Sequence, residues 1–199
     1  MIVFSKCKTR QSVLRAAAFT LVGLLTLPAA RAMDSDSVVA INQFNATCVR
    51  HLAKPDDVRA WANENYASIR DPDVLATVVG RITGGAAWQL PSPTGRNLTL
   101  SLRGDGKTCA VWSEAADPED VETEFRKMVS GAARDGITVK TTTDSTLPTR
   151  TGAGRLLSMS VMDTDLGSGY LFTFIAGDLF AGAPISLSMQ VVRLDAPEK

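Results

Sequence analysis

The sequence predicts an α+β fold, in which N-terminal helices pack on one face of a mainly antiparallel sheet of six to seven strands. Between residues 37 and 80, apolar residues recur at steps of three and four, which is typical of amphipathic helices. From residue 86 they alternate with polar residues, which is typical of strands. One more helix, at 117–135, is inserted between strands. A partly closed barrel wrapped around that helix is the second architecture compatible with this order.

Residues 1–32 predict a cleaved secretory signal peptide. Basic residues precede an apolar run of 12 residues at 16–27, and the small-residue motif ARA at 30–32 precedes the expected cleavage before Met33. A spanning helix needs about 20 apolar residues, so the run is too short for the alternative, a membrane anchor. Cys7 lies ahead of the run and leaves with the leader. We therefore expect a bacterial periplasmic or secreted protein with no membrane association after cleavage.

Residues 33–199 predict a single α+β domain, helical over 37–80 and rich in strands over 86–195. Its 167 residues suffice for one hydrophobic core. The leader holds five of the 21 basic residues and no acidic residue, so 16 basic residues remain against 21 acidic ones, a formal charge of −5. Because nucleic-acid binding depends on a basic surface, we expect no nucleic-acid partner. Nothing in the sequence fixes the oligomeric state.

The stretch LTLSLRGDGKTCAVWS, residues 98–113, predicts a β-hairpin. Leucine alternates with polar residues in its first strand, and the glycines and aspartate at 104–106 are typical of a tight hairpin loop. In the second strand Cys109 and Val111 share one face. No helix is indicated between the last three strand-like runs of the chain, so we expect those strands to form an antiparallel meander.

Two helices have clear apolar stripes. Residues 117–135 have Asp117 as a typical N-cap and Pro118 as a typical first residue, and Gly136 is expected to follow the last turn. The stripe expected to be buried in this helix consists of Val121, Phe125, Met128, Val129 and Ala132. In the first helix, residues 37–53, the corresponding stripe consists of Ile41, Phe44, Cys48 and Leu52.

Two cysteines remain after cleavage, Cys48 and Cys109, and we expect them to form a disulfide. In an oxidising compartment, an even pair with no other candidate partner is most simply a disulfide. The alternative is a thiol or metal site, in which Cys48 and His51 lie one helical turn apart and share a metal ion. Zinc sites generally use three or four protein ligands, whereas only two residues cluster here. The pattern favours a structural cross-link without a metal.

The sequence offers no recognisable catalytic or cofactor motif. His51 is the only histidine, so any scheme with a histidine base depends on it. GAGRLL, residues 152–157, lacks the final glycine and the following helix of a dinucleotide-binding loop. DTDLGSGYLFTF, residues 163–174, lacks the ligands of a calcium loop and is better interpreted as a hairpin turn. We therefore expect no catalytic residues, no metal and no cofactor.

Two hypotheses for the function remain. The leading one is a non-enzymatic periplasmic or secreted module that binds a protein partner, as an inhibitor, an immunity factor or an envelope accessory protein. The alternative is a carboxylate-based hydrolase of the cell envelope, because two carboxylates suffice for such chemistry.

A candidate partner site is the loop GDLFAGAPI, residues 177–185, for which two interpretations remain open. Leu179 and Phe180 would form an exposed apolar knob beside Asp178, as partner-binding anchors do. In the other interpretation, Phe180 folds back as a lid over the end of the sheet.

Three short stretches and one phenylalanine resemble a family of small uncharacterised bacterial secreted proteins and lipoproteins. They are GGAAWQL at 84–90, DGKTCAVW at 105–112, Phe125, and GAPISLSMQ at 182–190, within about residues 80–191. The resemblance implies an envelope location and assigns no catalytic residues. The lipoprotein members carry a cysteine after the apolar leader, and this chain has none there, so no outer-membrane anchor is expected.

Overall fold

The structure is a computed structural model, and it describes residues 32–52, 54–80, 83–149, 152–178 and 185–195. The predicted signal peptide, apart from its last residue, lies outside this part of the chain. The described residues of Ala32–Lys199 cluster as one compact unit. Among them, no helix combines the length and the apolar character that crossing a membrane requires.

One antiparallel sheet organises the described chain. Its strands are β1 (Ala67–Ser68), β2 (Ala86–Gln89), β3 (Leu98–Leu102), β4 (Thr108–Ser113), β5 (Ile137–Pro148), β6 (Ala153–Asp163), β7 (Gly169–Ala176) and β8 (Leu187–Leu194). The spatial order is β1-β2-β3-β4-β8-β7-β6-β5. Two four-stranded meanders therefore lie side by side, and the pairing of β4 with β8 joins them at the centre.

The mixed α+β class and the meander of the last three strands are confirmed. The predicted number of six to seven strands is wrong, because the described sheet has eight. The additional strand is β1, whose two residues are too few to show any alternation of apolar and polar positions. The sheet is open, with β1 and β5 at its two edges, and so does not form the alternative barrel.

The helical segments are α1 (Ser35–Phe44), a π-helical turn (Asn45–Val49), α2 (Pro55–Asn65), α3 (Pro72–Val78) and α4 (Pro118–Ser130). The predicted N-cap of α4 is confirmed, because the Asp117 carboxylate accepts hydrogen bonds from the N–H groups of Glu119 and Asp120. The predicted end of α4 at residue 135 is wrong. The helix ends at Ser130 because Gly131 follows as its C-cap, and the chain then turns tightly into β5.

The main core lies between one face of the sheet and the helices α1, α2 and α4. Phe44 of α1 and Phe125 of α4 are fully buried, with ring centroids 6.2 Å apart. The side chains of Leu100, Val111 and Met189 cover the sheet side of this core with no exposed surface. Burial of this apolar area is the dominant stabilising contribution to such a fold.

The short helix α3 packs on the opposite face of the sheet. Val78 and Val79 form a second apolar cluster with Ala110 and Trp112. The Ser101 hydroxyl accepts a hydrogen bond from Trp112 Nε1 at 2.8 Å and donates one to the Val78 carbonyl at 3.0 Å. The prediction that the N-terminal helices share one face is therefore wrong for α3. Since Ala110 and Trp112 alternate with the core residues of β4, they present apolar surface that needs its own cover.

A disulfide joins the helices to the sheet. Cys48 of the π-helical turn and Cys109 of β4 are bonded, with Cα atoms 5.4 Å apart. Both are buried, at 1% and 7% exposure. The turn has the wider hydrogen bonding of a π-helix, because the Arg50 N–H donates to the Asn45 carbonyl five residues earlier. The cross-link fastens the end of the α1 segment to the face that Cys109 shares with Val111.

The N-termini of α1 and α4 are held together by hydrogen bonds. The Asp117 N–H donates to the Ser37 hydroxyl at 2.9 Å, and the Ser37 hydroxyl donates to the Asp34 carboxylate. The Asp34 N–H donates to the Asp120 carboxylate at 3.2 Å. Burial raises the pKa of Asp34, but the bonds from Ser37 and neighbouring N–H groups hold it below the ordinary value. Hydrogen bonds between the N-terminal residues of α1 and those of α4 thus fix the two helices to each other at this end.

Removal of the cross-link should lower the free energy of unfolding. The two cysteines are 61 positions apart, and closing a loop of that length stabilises a domain by about 4 kcal/mol in the chain-entropy model. We expect Cys48→Ala with Cys109→Ala to lose an amount of that order in urea denaturation. Without reduction, the folded protein that begins at Met33 should show no alkylated thiol by mass spectrometry. Alkylation of Cys109 in the folded protein would contradict the cross-link.

Candidate functional site

A cleft of about 500 Å³ opens between the C-terminal ends of two helical segments and the strands β5 to β8. The π-helical turn and the residues after it provide Val49 and Leu52, and the end of α4 and the turn that follows it provide Met128 and Ala132. Small-molecule sites commonly have volumes of about 300–1,000 Å³ and mostly apolar walls. The cleft has both properties, which makes it the candidate functional site.

The walls of the cleft are the uncovered ends of two apolar stripes. In α4, Val121 and Phe125 have no exposed surface, whereas Met128 and Ala132 of the same predicted stripe are only partly buried. In the predicted stripe of the first helix, Cys48 of the π-helical turn is buried, whereas Leu52, three residues after that turn, is partly exposed. The stripe residues Met128, Ala132 and Leu52 all line the cleft. The last apolar side chains of both stripes are therefore not covered by the core and line the open volume of the cleft.

The floor of the cleft continues into the main core. Val161 of β6 and Tyr170 of β7 are paired across the sheet, and Phe172 lies two residues further along β7. Phe172 is 5% exposed and meets the Phe44 ring edge-on, with centroids 6.5 Å apart. Because Phe44 is fully buried among the core residues, this packing holds the floor in place.

The turn between β6 and β7 forms one rim. As predicted, residues 163–168 make a hairpin turn. Asp163 Oδ1 accepts hydrogen bonds from the N–H groups of Asp165 and Leu166, both at 2.9 Å, and Gly167 has a φ of +65°. The Leu166 side chain is 69% exposed and lines the cleft. Leu166 therefore extends the apolar surface of the cleft walls to this rim, and contiguous apolar surface is typical of a binding site.

Two arginines, Arg134 and Arg193, stand among the apolar residues that line the cleft. Arg193 is 3.5 Å from the Asp195 carboxylate, which also accepts a hydrogen bond from Lys107 at 2.5 Å. This bond from Lys107 lowers the pKa of Asp195. Arg134 forms no ion pair with any carboxylate in the described part of the chain. The lining therefore combines apolar walls with cationic groups.

A separate ionic cluster ties α4 to the outer strands. Glu122 and Asp144 are bridged by two arginines: Arg126 reaches them at 2.7 and 2.8 Å, and Arg155 at 2.9 and 2.5 Å. Hydrogen bonds from Arg155, and then from Arg126, lower the pKa of Glu122 against the opposing effect of burial. Hydrogen bonds from Arg126 and Arg155 likewise lower the pKa of Asp144. These carboxylates are thus held ionised.

The remaining predicted site residues lie apart from the cleft lining or outside the described chain. Asp178 follows β7 and is partly buried, and Leu179 and Phe180 of the candidate partner site lie outside the described residues. His51 lines a hollow of about 30 Å³ beside the disulfide, which has room for about one or two waters. Among the described residues, no group of three or more His, Cys, Asp or Glu side chains is placed to hold a metal ion.

Comparisons with known proteins find no relative of this chain: no protein-family model matches it, and neither curated proteins nor solved structures give a match. The resemblance to small secreted bacterial proteins therefore stays a prediction. The geometry of the cleft and the chemistry of its lining carry the functional argument.

The ionic cluster should make stability depend on pH. A carboxylate with a lowered pKa stabilises the fold above its unfolded pKa, and this contribution is lost as the pH falls through its folded value. We expect Glu122→Gln to lower the free energy of unfolding by about 1–2 kcal/mol at pH 7. The difference from wild type should shrink as the pH falls below the ordinary glutamate value of 4.5.

Urea denaturation across this pH range measures the effect, with Glu124→Gln as the matched control. Glu124 lies on the same helix, and its carboxylate is 3.4 Å from the amino group of Lys127, whose side chain is 76% exposed. The control should change stability by less than about 0.5 kcal/mol. A Glu122→Gln difference that is equal at neutral and acidic pH would contradict the assignment.

Proposed function

We propose that the protein is a non-enzymatic binding module of the bacterial periplasm or secreted fraction, and that its cleft binds a small apolar molecule. The proposal rests on one observation: the two apolar helix stripes are buried in the core along most of their length, and their last residues line the cleft. Leu52, Met128 and Ala132 are partly exposed there. An occupant with apolar surface would remove these side chains from water, which stabilises the complex by about 25 cal/mol per Å² buried.

The exposed leucine at the rim supports the same proposal. Leu166 is held by a turn whose backbone N–H groups are bonded to Asp163, so its position is defined despite its 69% exposure. Solvent exposure of a leucine beside an apolar volume is unfavourable in the unbound protein. Contact with a bound molecule would remove that cost.

The lining of the cleft favours binding over the alternative, hydrolysis by carboxylates. That chemistry needs two carboxylates on either side of the substrate. Asp163 is the one carboxylate among the described lining residues, and its Oδ1 is used by the turn. Glu122 and Asp144 form a close pair, but arginines lower both pKa values, whereas a general acid needs a raised one.

The proposed location rests on the predicted leader and on the disulfide. A buried Cys48–Cys109 cross-link is compatible with a secreted protein, because disulfides persist in oxidising compartments. Binding of a protein partner through Asp178, Leu179 and Phe180 stays a separate prediction.

A cleft-filling substitution tests the proposal. We expect the neutral fluorescent dye N-phenyl-1-naphthylamine to bind the wild type at one site, with enhanced emission. Ala132→Trp should weaken this binding by about tenfold or more, because the indole occupies the volume that the dye needs. Ala133 is exposed and does not line the cleft, so Ala133→Trp is the matched control and should bind like the wild type.

Circular dichroism of both variants checks that they are folded. Dye binding that is absent from the wild type, or that survives unchanged in a folded Ala132→Trp variant, would contradict the proposed function.

A further inference from the structure

We infer that the natural occupant of the cleft is an anionic amphiphile, whose apolar chain lies between the helix ends and whose acidic head lies against Arg134 and Arg193. The inference rests on the proposed function and adds the chemical class of the ligand. It comes from the charges among the lining residues of the cleft, which the apolar walls alone do not explain.

The cationic groups of the cleft are available to an anion. Both arginines are exposed, and a guanidinium stays protonated at any physiological pH. Arg134 has no ion-pair partner among the described carboxylates. Arg193 shares the single carboxylate of Asp195 with Lys107, so two cations face one anion there. The guanidinium groups therefore keep hydrogen-bonding capacity for a carboxylate or a phosphate.

The net charge around the cleft is opposite to that of the chain. Among the described residues that line the cleft, Arg134 and Arg193 carry two positive charges and Asp163 carries the one negative charge, which leaves one positive charge in excess. Residues 33–199 as a whole carry a formal charge of −5. A local excess of positive charge on an acidic protein favours an anionic ligand over a neutral one.

The walls select the rest of the ligand. Ser168 is the one uncharged polar side chain among the described lining residues apart from the Tyr170 hydroxyl. A sugar or a nucleotide base needs several hydrogen-bond partners when it is buried, and these walls do not supply them. A hydrocarbon chain needs none. Met128 is unbranched and flexible enough to pack against chains of different length.

Displacement of the bound dye tests the inference with three ligands of equal chain length: dodecanoate, dodecyl phosphate and 1-dodecanol. We expect at least one of the two anions to displace the dye at about tenfold lower concentration than the alcohol. The stronger anion distinguishes a carboxylate head from a phosphate head. In the double variant Arg134→Gln with Arg193→Gln, this preference should disappear, while displacement by dodecanol stays unchanged.

Arg70→Gln is the matched control, because Arg70 is exposed and does not line the cleft, and it should keep the wild-type preference. Equal displacement by all three ligands would overturn the inference and leave the proposed function standing, as would a preference that survives in the double arginine variant. Failure of the dye to bind the wild type would overturn both.

Discussion

The disulfide between Cys48 and Cys109 is the constraint on which the geometry of this protein depends. It joins the end of the first helical segment to β4, the strand that links the two meanders through its pairing with β8. Val49 and Leu52 follow within four residues of Cys48 and form one wall of the cleft. Because a covalent bond fixes the neighbouring residue to the sheet, the distance of that wall from the floor is set by the cross-link. The stability of the domain and the shape of its candidate site thus have a common origin.

The two helices beside the cleft are fastened at different ends. Hydrogen bonds between Asp34, Ser37 and Asp117 hold the N-termini of α1 and α4 together, and the disulfide holds the segment that follows α1. Within the described part of the chain, no hydrogen bond or disulfide joins the last turns of α4 to that segment, and the cleft lies at this end. The ionic cluster around Glu122 instead fastens the middle of α4 to β5 and β6. A rigid frame therefore surrounds an open apolar volume, which is the arrangement that a preformed binding site requires.

The sequence was sufficient to predict most of the elements, but it did not show the two-residue strand β1, the end of α4 or how far the packing of each element extends. The N-cap at Asp117 and the hairpin ahead of it follow from local chemistry, because capping and turn preferences depend on neighbouring residues alone. The site could not be predicted, because Met128 and Ala132 have the same helical spacing as Val121 and Phe125. Periodicity shows which side of a helix is apolar. It does not show where along that side the packing against the rest of the protein ends. The sequence also does not show on which face of the sheet α3 packs, because that face is formed by strands that are distant in sequence.

The affinity of a cleft ligand, measured with and without the disulfide, tests most directly whether the cross-link sets the shape of the cleft. Neutral dye binding should be compared between the wild type and the variant Cys48→Ala with Cys109→Ala, at low temperature where circular dichroism shows both to be folded. Loss of the cross-link should weaken dye binding by about tenfold, because Val49 and Leu52 are no longer held against the floor. Equal affinities in the two folded proteins would contradict the account, since the cleft would then form independently of the disulfide.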